Sequence, residues 1–221
     1  TVAWNFADMT VTSDLTLYAG WKKNSSGGGS GSSGSSSGNS GSENKPSDEQ
    51  TDQSNPFTDV AEDAYYHDAV LWAVENGITA GLTETVFGPN QACTRAQMVT
   101  FLWRAAGSPA PAATENPFAD IAQDAYYYDA VMWAAEQGIT GGTGAETFSP
   151  NATVTRAQTV AFLYRAAGSP AVSGSGFADV AADAYYADAV AWAADQGITS
   201  GTTAETFTSS ESSVVTLLVV A

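Results

Sequence analysis

The stretch Phe118-Ala-Asp-Ile-Ala-Gln-Asp-Ala-Tyr-Tyr-Tyr-Asp-Ala-Val-Met-Trp-Ala-Ala-Glu-Gln-Gly-Ile-Thr140 is the middle one of three similar copies in this chain. The copies open at Phe57, Phe118 and Phe177, and each carries, in one order, an Asp, a Tyr pair, Asp-Ala-Val, Trp-Ala, Gly-Ile-Thr and a second Phe. The copies are offset by 61 and 59 residues, and Trp72, Trp133, Trp192 and Gly77, Gly138, Gly197 keep both offsets. Units of this length bury their apolar faces against one another, so the pattern predicts a binding array sooner than a catalytic centre.

Each copy reads as helix, Gly-rich connection, helix. Asp63 precedes a first helix expected over residues 64–76, with Tyr66, Ala69, Val70 and Ala73 on one face and Gly77 as a left-handed stop. An extended strip from Ile78 to Gly81 and the turn Phe87-Gly-Pro-Asn90 follow. The second helix starts at Thr94, directs Met98, Phe101, Leu102 and Ala105 inward and stops at Gly107, with Pro109 behind it. The second copy repeats this from Asp124 to Gly138 and from Thr155 to Gly168. In the third, the offset of 59 sets Val214, Val215 and Leu217 where Thr155, Arg156 and Gln158 stand. Its last helix is therefore degenerate and short; truncation and a reading-frame slip both fit.

The fold class is all-α, mainly helical, with three helix-loop-helix repeats over residues 56–110, 111–170 and 171–221. Residues 25–55 form a Ser/Gly-rich flexible linker, because such a tract buries too little to offset its ordering entropy. In residues 1–24, Leu15, Leu17, Ala19 and Trp21 alternate with Thr16, Tyr18 and Gly20 as a half-buried strand does. The segment from Asp14 to Trp21, with Trp4, resembles the closing strands of a Listeria-Bacteroides repeat, a β-rich module of bacterial surface proteins. Thr1 is no initiator, so the chain reads as a C-terminal piece of something longer. The longest apolar run, residues 214–221, is far short of the roughly 20 residues a spanning helix needs.

Seven Lys plus Arg against 24 Asp plus Glu give a formal charge of -17, which argues against nucleic acid and anionic membranes as partners. The single Cys93 has Val154 at its place in the second copy and reads as a small buried hydrophobe. Asp59, Asp63, Asp68 and their copies lack the alternating spacing and loop Gly of a calcium loop, so capping and solvation explain them and no metal is assigned. His67 is Tyr128 and Ala187 in the sister copies, so no Ser-His or Cys-His pair recurs, and neither an enzyme nor a cofactor is expected.

Phe-x-Asp-Val/Ile, Tyr-Tyr-x-Asp-Ala-Val, Gly-Ile-Thr-x-Gly and Thr-Arg-Ala-Gln, recurring in fixed order from Phe57 to about Phe207, resemble the S-layer homology family. The resemblance implies a pseudo-threefold helical bundle whose grooves bind pyruvylated secondary cell-wall polysaccharide, an anionic glycan, without catalysis. It also implies a secreted protein at the cell wall or S-layer, tethering upstream cargo. A protein-interaction or self-assembly domain and the tether of an upstream enzyme are the alternatives. The family's Thr-Arg-Ala-Glu stands here as Thr94-Arg95-Ala96-Gln97 and Thr155-Arg156-Ala157-Gln158.

Read without the family, Thr and Gln at this spacing form a capping box, each part worth about 1 kcal/mol to folding. Arg is different. In the first turn it opposes the helix dipole, so its removal should leave the helix intact; beside a helix N-terminus it makes an anion site suited to a carboxylate. Pairing of Arg95 and Arg156 with an acid of a neighbouring repeat is the competing explanation. Arg104 and Arg165, in last turns, read as structural. Gly81 and Gly142 either approach a sugar closely or serve a turn of positive φ. The candidate ligand-binding residues are thus Arg95, Arg156, Gln97, Gln158, Gly81 and Gly142, while Trp72, Trp133 and Trp192 read as core; the pairs Tyr65-Tyr66, Tyr126-Tyr127 and Tyr185-Tyr186 read as core sooner than as offering one ring each for stacking on a sugar.

Overall fold

The computed structural model describes residues 55–172 and 176–213. The expectations for residues 1–24, for nearly all of the linker and for residues 214–221 lie outside the described residues. Among the described residues there are five helices and no strand: α1 (His67–Glu75), α2 (Arg95–Ala105), α3 (Tyr128–Glu136), α4 (Arg156–Ala166) and α5 (Ala187–Asp195). The all-α reading holds.

The first helix of each repeat starts about three residues later than expected. Residues 61–66 instead form tight turns, Ala64 N–H donating to Ala61 and His67 N–H to Ala64, and no side chain caps Tyr66, Tyr127 or Tyr186 at the helix starts. The glycine stop is as expected. Gly77 has φ +68°, Gly77 N–H bonds Val74 and Ile78 N–H bonds Ala73, which is the paired closure that uses up orphan carbonyls.

The second helices carry full capping boxes. Thr94 Oγ1 accepts from Gln97 N at 3.3 Å while Thr94 N donates to Gln97 Oε1 at 2.9 Å; Thr155 and Gln158 do the same at 3.3 and 3.2 Å. The remaining amides of these helix starts cross to the next repeat: Arg95 N to Ala152 O and Ala96 N to Pro150 O, then Arg156 N to Glu211 O and Ala157 N to Ser209 O. Between them runs a closed circuit in which Cys93 N donates to Ser213 O, Ser213 N to Val154 O and Val154 N to Cys93 O, each at 2.9 Å. All three residues are buried, so the repeats meet around one axis, and Ser213 falls in register with Val154 at the offset of 59.

Around this axis α2 packs on α3 and on α4, and α4 packs on α5. Each repeat contributes a pair of phenylalanines: Phe57 with Phe87, Phe118 with Phe148 and Phe177 with Phe207, ring centroids 5.5–5.8 Å apart. Phe87, Phe148 and Phe207 are fully buried, worth about 1.5–3 kcal/mol each by area. The tryptophans are less buried than expected: Trp72 is 44% exposed, and Trp133 and Trp192 are half-buried at the rim. Indole is large and carries an N–H, so a rim position covers apolar surface without stranding a donor. Ala105, expected inward, is exposed on the last turn of α2.

The aspartates that open each repeat do more than cap or solvate. Asp59 accepts from Phe87 N and Gly88 N, Asp120 from Phe148 N and Ser149 N, and Asp179 from Phe207 N and Thr208 N, all at 2.7–2.8 Å. Each carboxylate thus staples the second Phe of its repeat to the first. Partial burial pushes the carboxyls of Asp59 and Asp120 up, but the amide donors outweigh it; at Asp179 those donors are the leading cause, and all three sit below the ordinary 3.8.

A carboxylate depressed in the folded state stabilises fully above its unfolded value and loses that contribution as pH falls through the folded one. The urea midpoint should therefore be flat down to mildly acidic pH and fall below about pH 4. Asp120→Asn, which keeps one acceptor where two amides need it, should lower the midpoint at neutral pH and flatten the acid limb. At the axis, burial pushes the Cys93 thiol up to about 12. A thiol reagent should accordingly label Cys93 only at denaturant concentrations that unfold the bundle; labelling of the native protein at the rate of a free thiol would contradict this packing.

Candidate ligand groove

Arg95 is the first residue of α2, and the bond from its backbone to Ala152 carries its side chain into the second repeat. There Nε donates to Phe148 O at 2.8 Å and Nη2 to Thr140 Oγ1 at 3.4 Å, with the guanidinium over the rings of Phe148 and Phe162 at 4.8 and 5.3 Å. The residue is only 4% exposed. Arg156 repeats this toward the third repeat, with Nε to Phe207 O at 2.9 Å, Nη2 to Thr199 Oγ1 at 3.5 Å and the guanidinium 4.8 Å from the Phe207 ring.

Neither arginine is an inter-repeat salt bridge. Among the described residues the one contact within 4.0 Å between a basic and an acidic side chain is that of His67 Nδ1 with Asp68 Oδ1. The guanidiniums instead meet carbonyl dipoles and ring faces, with the carboxylates of Asp120 and Asp179 acting on them only from beyond 4.0 Å. Burial lowers the basicity of Arg95, with Tyr185 and Asp120 opposing and Arg165 reinforcing the shift; an arginine keeps its proton regardless. The helix N-terminus, by contrast, is closed to ligands, because the next repeat and Thr94 use its first amides. Removing Arg95 therefore cannot be structurally silent, contrary to what its opposition to the helix dipole suggested.

A groove of about 350 Å³ opens over Arg95, lined by Thr140, Gly142, Gln158, Arg165 and Tyr185. Gln158 presents Oε1 to the Thr155 amide, so what it can offer the groove is its NH₂. Arg165 anchors one Nη on Ile139 O at 3.2 Å. Tyr185 is 64% exposed, its ring held edge-on by Tyr186 at 5.0 Å. Burial raises the Tyr185 hydroxyl's pKa, and Tyr186 adds to this while Arg165 and Arg95 oppose it, so the hydroxyl remains a donor at neutral pH. The polar groups of the groove are thus mainly donors and cations, set beside the apolar Ala161 and Phe162.

Of the six candidates, this groove brings together Arg95, Gly142 and Gln158. Arg156 borders a separate cavity of about 10 Å³ with Thr199 and Phe207, room for no more than a water. Gly81 and Gln97 fall, by the repeat offsets, at the third joint, where Val215 stands in register with Arg95. Gly142 has φ +82° and a Cβ there would lie 2.5 Å from Thr147 O, while at Gly81 (φ +77°) it would lie 2.6 Å from the Phe57 ring. The turn itself requires these glycines. Sequence reasoning missed Arg165 and ranked Tyr185 as core above a stacking ring; their recurrence as Arg104 and Tyr126 was visible, but it fits a dipole-favoured cation and a core ring equally well.

A profile of the S-layer homology domain matches residues 56–99, 117–160 and 176–208. A cell surface protein of Thermoanaerobacter kivui is 35% identical over 119 residues, which is 52% of this chain and 16% of that protein. A surface-layer 125 kDa protein of Lysinibacillus sphaericus is 32% identical over 111 residues, 50% of this chain and 9% of that protein. An endoglucanase of Bacillus sp. (strain KSM-635) is 32% identical over 111 residues, 50% of this chain and 12% of that enzyme. The matched segment is therefore less than a fifth of the length of each of these relatives. With three consecutive matches in the register of its own repeats, spanning more than half its length, the chain belongs to the S-layer homology domain family.

Proposed function

We propose that this chain is a non-catalytic anchoring module that fastens a larger secreted protein to the bacterial cell wall by holding pyruvylated secondary cell-wall polysaccharide in the Arg95 groove. The observation that carries the reading is a guanidinium that is 4% exposed, lines an open groove and, among the described residues, has no carboxylate within 4.0 Å in a chain of net charge -17. A pyruvate ketal brings a flat two-oxygen anion on a sugar, matching a planar guanidinium, while Tyr185 offers an exposed ring for a sugar face. Arg165, Thr140 and the Gln158 NH₂ supply further donors. Matches of half this chain to a protein named as a surface-layer protein and to one named as an endoglucanase support attachment rather than chemistry, since one module would then serve proteins of different kinds.

Sedimentation with purified walls tests this. Removal of pyruvate ketals by dilute acid should abolish binding, and rising salt should weaken it, because the contact is a charge pair at a partly open groove. Walls stripped of pyruvate that still capture the protein would overturn the carboxylate reading.

Arg95→Gln keeps a donor for Phe148 O but removes the charge, so it should weaken wall binding at least tenfold with little change in melting. Arg95→Ala should do both, losing wall binding and about 1–3 kcal/mol of stability through the stranded carbonyl. Thr155→Ala serves as the contrast, lowering stability by about 1 kcal/mol through the lost cap while keeping more of the binding.

A further inference from the structure

We propose that Asn76-Gly77, at the end of α1, is a site of spontaneous covalent modification, where the side-chain amide is lost as ammonia and the main chain is rerouted in part through the side chain. The chain has nine Asn, and this is the single one followed by Gly. In the other two repeats the same place is held by Gln137-Gly138 and Gln196-Gly197. That difference is chemical. The Gly77 nitrogen attacking Asn76 Cγ closes a five-membered succinimide, whereas from Gln the ring would have six members and forms far more slowly. In the reaction the Gly77 nitrogen bonds to Cγ and gives up its proton, and Nδ2 leaves with that proton as ammonia. Water then opens the ring. Addition at Cγ leaves an ordinary aspartyl residue; addition at the main-chain carbonyl breaks the original peptide bond and leaves an isoaspartyl link.

The structure exposes the reacting groups and sets the gate. Asn76 and Gly77 are both exposed, and no atom lies within 4 Å of where a Gly77 Cβ would stand. Asn76 Nδ2 donates to Trp72 O at 2.8 Å, which holds the side chain at the surface of the helix end. The restraint is on the nitrogen: Gly77 N–H donates to Val74 O at 3.0 Å, so the cap must open before attack. Such opening is local. Among the described residues α1 has no helix partner comparable with those of α3 and α5, and Trp72 in its last turn is 44% exposed. The product undoes what the cap holds. A carboxylate here joins Glu75 at the negative end of a helix whose last turn carries no basic residue. The isoaspartyl form also inserts a methylene before Ile78, which shifts the bonds from Ile78 N to Ala73 O and from Arg104 Nη1 to Ile78 O out of register.

Incubation of the whole chain at mildly alkaline pH, with peptide mass mapping and methylation by an isoaspartyl-specific methyltransferase as readouts, tests this. Conversion at Asn76 should outrun that at Asn90 and Asn151, with none at Gln137 or Gln196. Urea sufficient to unfold the bundle should speed it roughly tenfold or more, because the cap gates the attack. Asn76→Gln adopts the residue that ends α3 and α5 with nearly the same backbone, φ -77° and -83° against -85°, so it should abolish isoaspartyl formation and leave melting unchanged. Asn76→Asp carries the charge without the added methylene; the aged chain should melt below it. An Asn76 that stays intact in the folded chain while the urea-unfolded chain converts would overturn the proposal, as would isoaspartyl formation undiminished in Asn76→Gln. Full conversion without a fall in melting temperature would overturn the loss of the cap.

Discussion

Cys93, Val154 and Ser213 each donate one amide hydrogen to the next around a closed circuit, and the bundle is arranged by that circuit. A buried amide without an acceptor is costly, so no repeat can satisfy its own central amide and no two repeats can close the ring. The helix starts follow the same rule, since the first amides of α2 and α4 donate to carbonyls of the succeeding repeat. Capping by the neighbour makes each second helix conditional on the next repeat being in place. Repeats joined in this way form one cooperative unit, unlike an open solenoid in which a terminal unit can fray.

The same dependence determines where a ligand site can form. Because the helix N-termini are occupied by the neighbouring repeat, the anion-binding potential of those termini is used internally. What remains is the side chain of the first helical residue, which the backbone contact directs across the joint onto Phe148 or Phe207. The groove therefore lies at the joint, and its lining comes from residues far apart in sequence. On the proposed function, structure and recognition would share a residue here: the Nε of Arg95 holds the joint, and the residue lines a groove.

What could be read in the sequence divides along this line. The period, the Thr-Gln capping boxes and the Gly77 stop depend on contacts within a few residues, and all three are present in the structure. The register of the third repeat was also legible, because a fixed offset needs no knowledge of packing. By contrast, the acceptor of the Arg95 Nε lies 53 residues on and the amide donors to Asp59 lie 28 and 29 residues on. No local preference distinguishes a carboxylate that staples two amides from one that merely caps a helix, nor an arginine bound to a carbonyl from one in a salt bridge. The Tyr pairs misled for a related reason. Both rings look equally apolar in sequence, yet Tyr186 turns to the core and Tyr185 stays 64% exposed, a choice made by the tight turns that replace the first helical turn.

The charge distribution bears on how an acidic chain would hold an acidic polymer, as proposed above. With 24 acidic residues available, a carboxylate beside each arginine would have been easy to supply, yet the described residues place none within 4.0 Å of Arg95, Arg104, Arg156 or Arg165. The acids at the joints, Asp120 and Asp179, are instead bound to backbone amides, which fixes their direction and holds them off the guanidiniums. At a salt concentration near 0.1 M, repulsion between the distant acids and a polyanion fades beyond about 10 Å, whereas a guanidinium in a partly enclosed groove is screened far less. On the proposed function, net charge would then oppose only loose, nonspecific approach, and attraction would survive at Arg95, which among the described residues is buried, bonded to a carbonyl and without a carboxylate in direct contact.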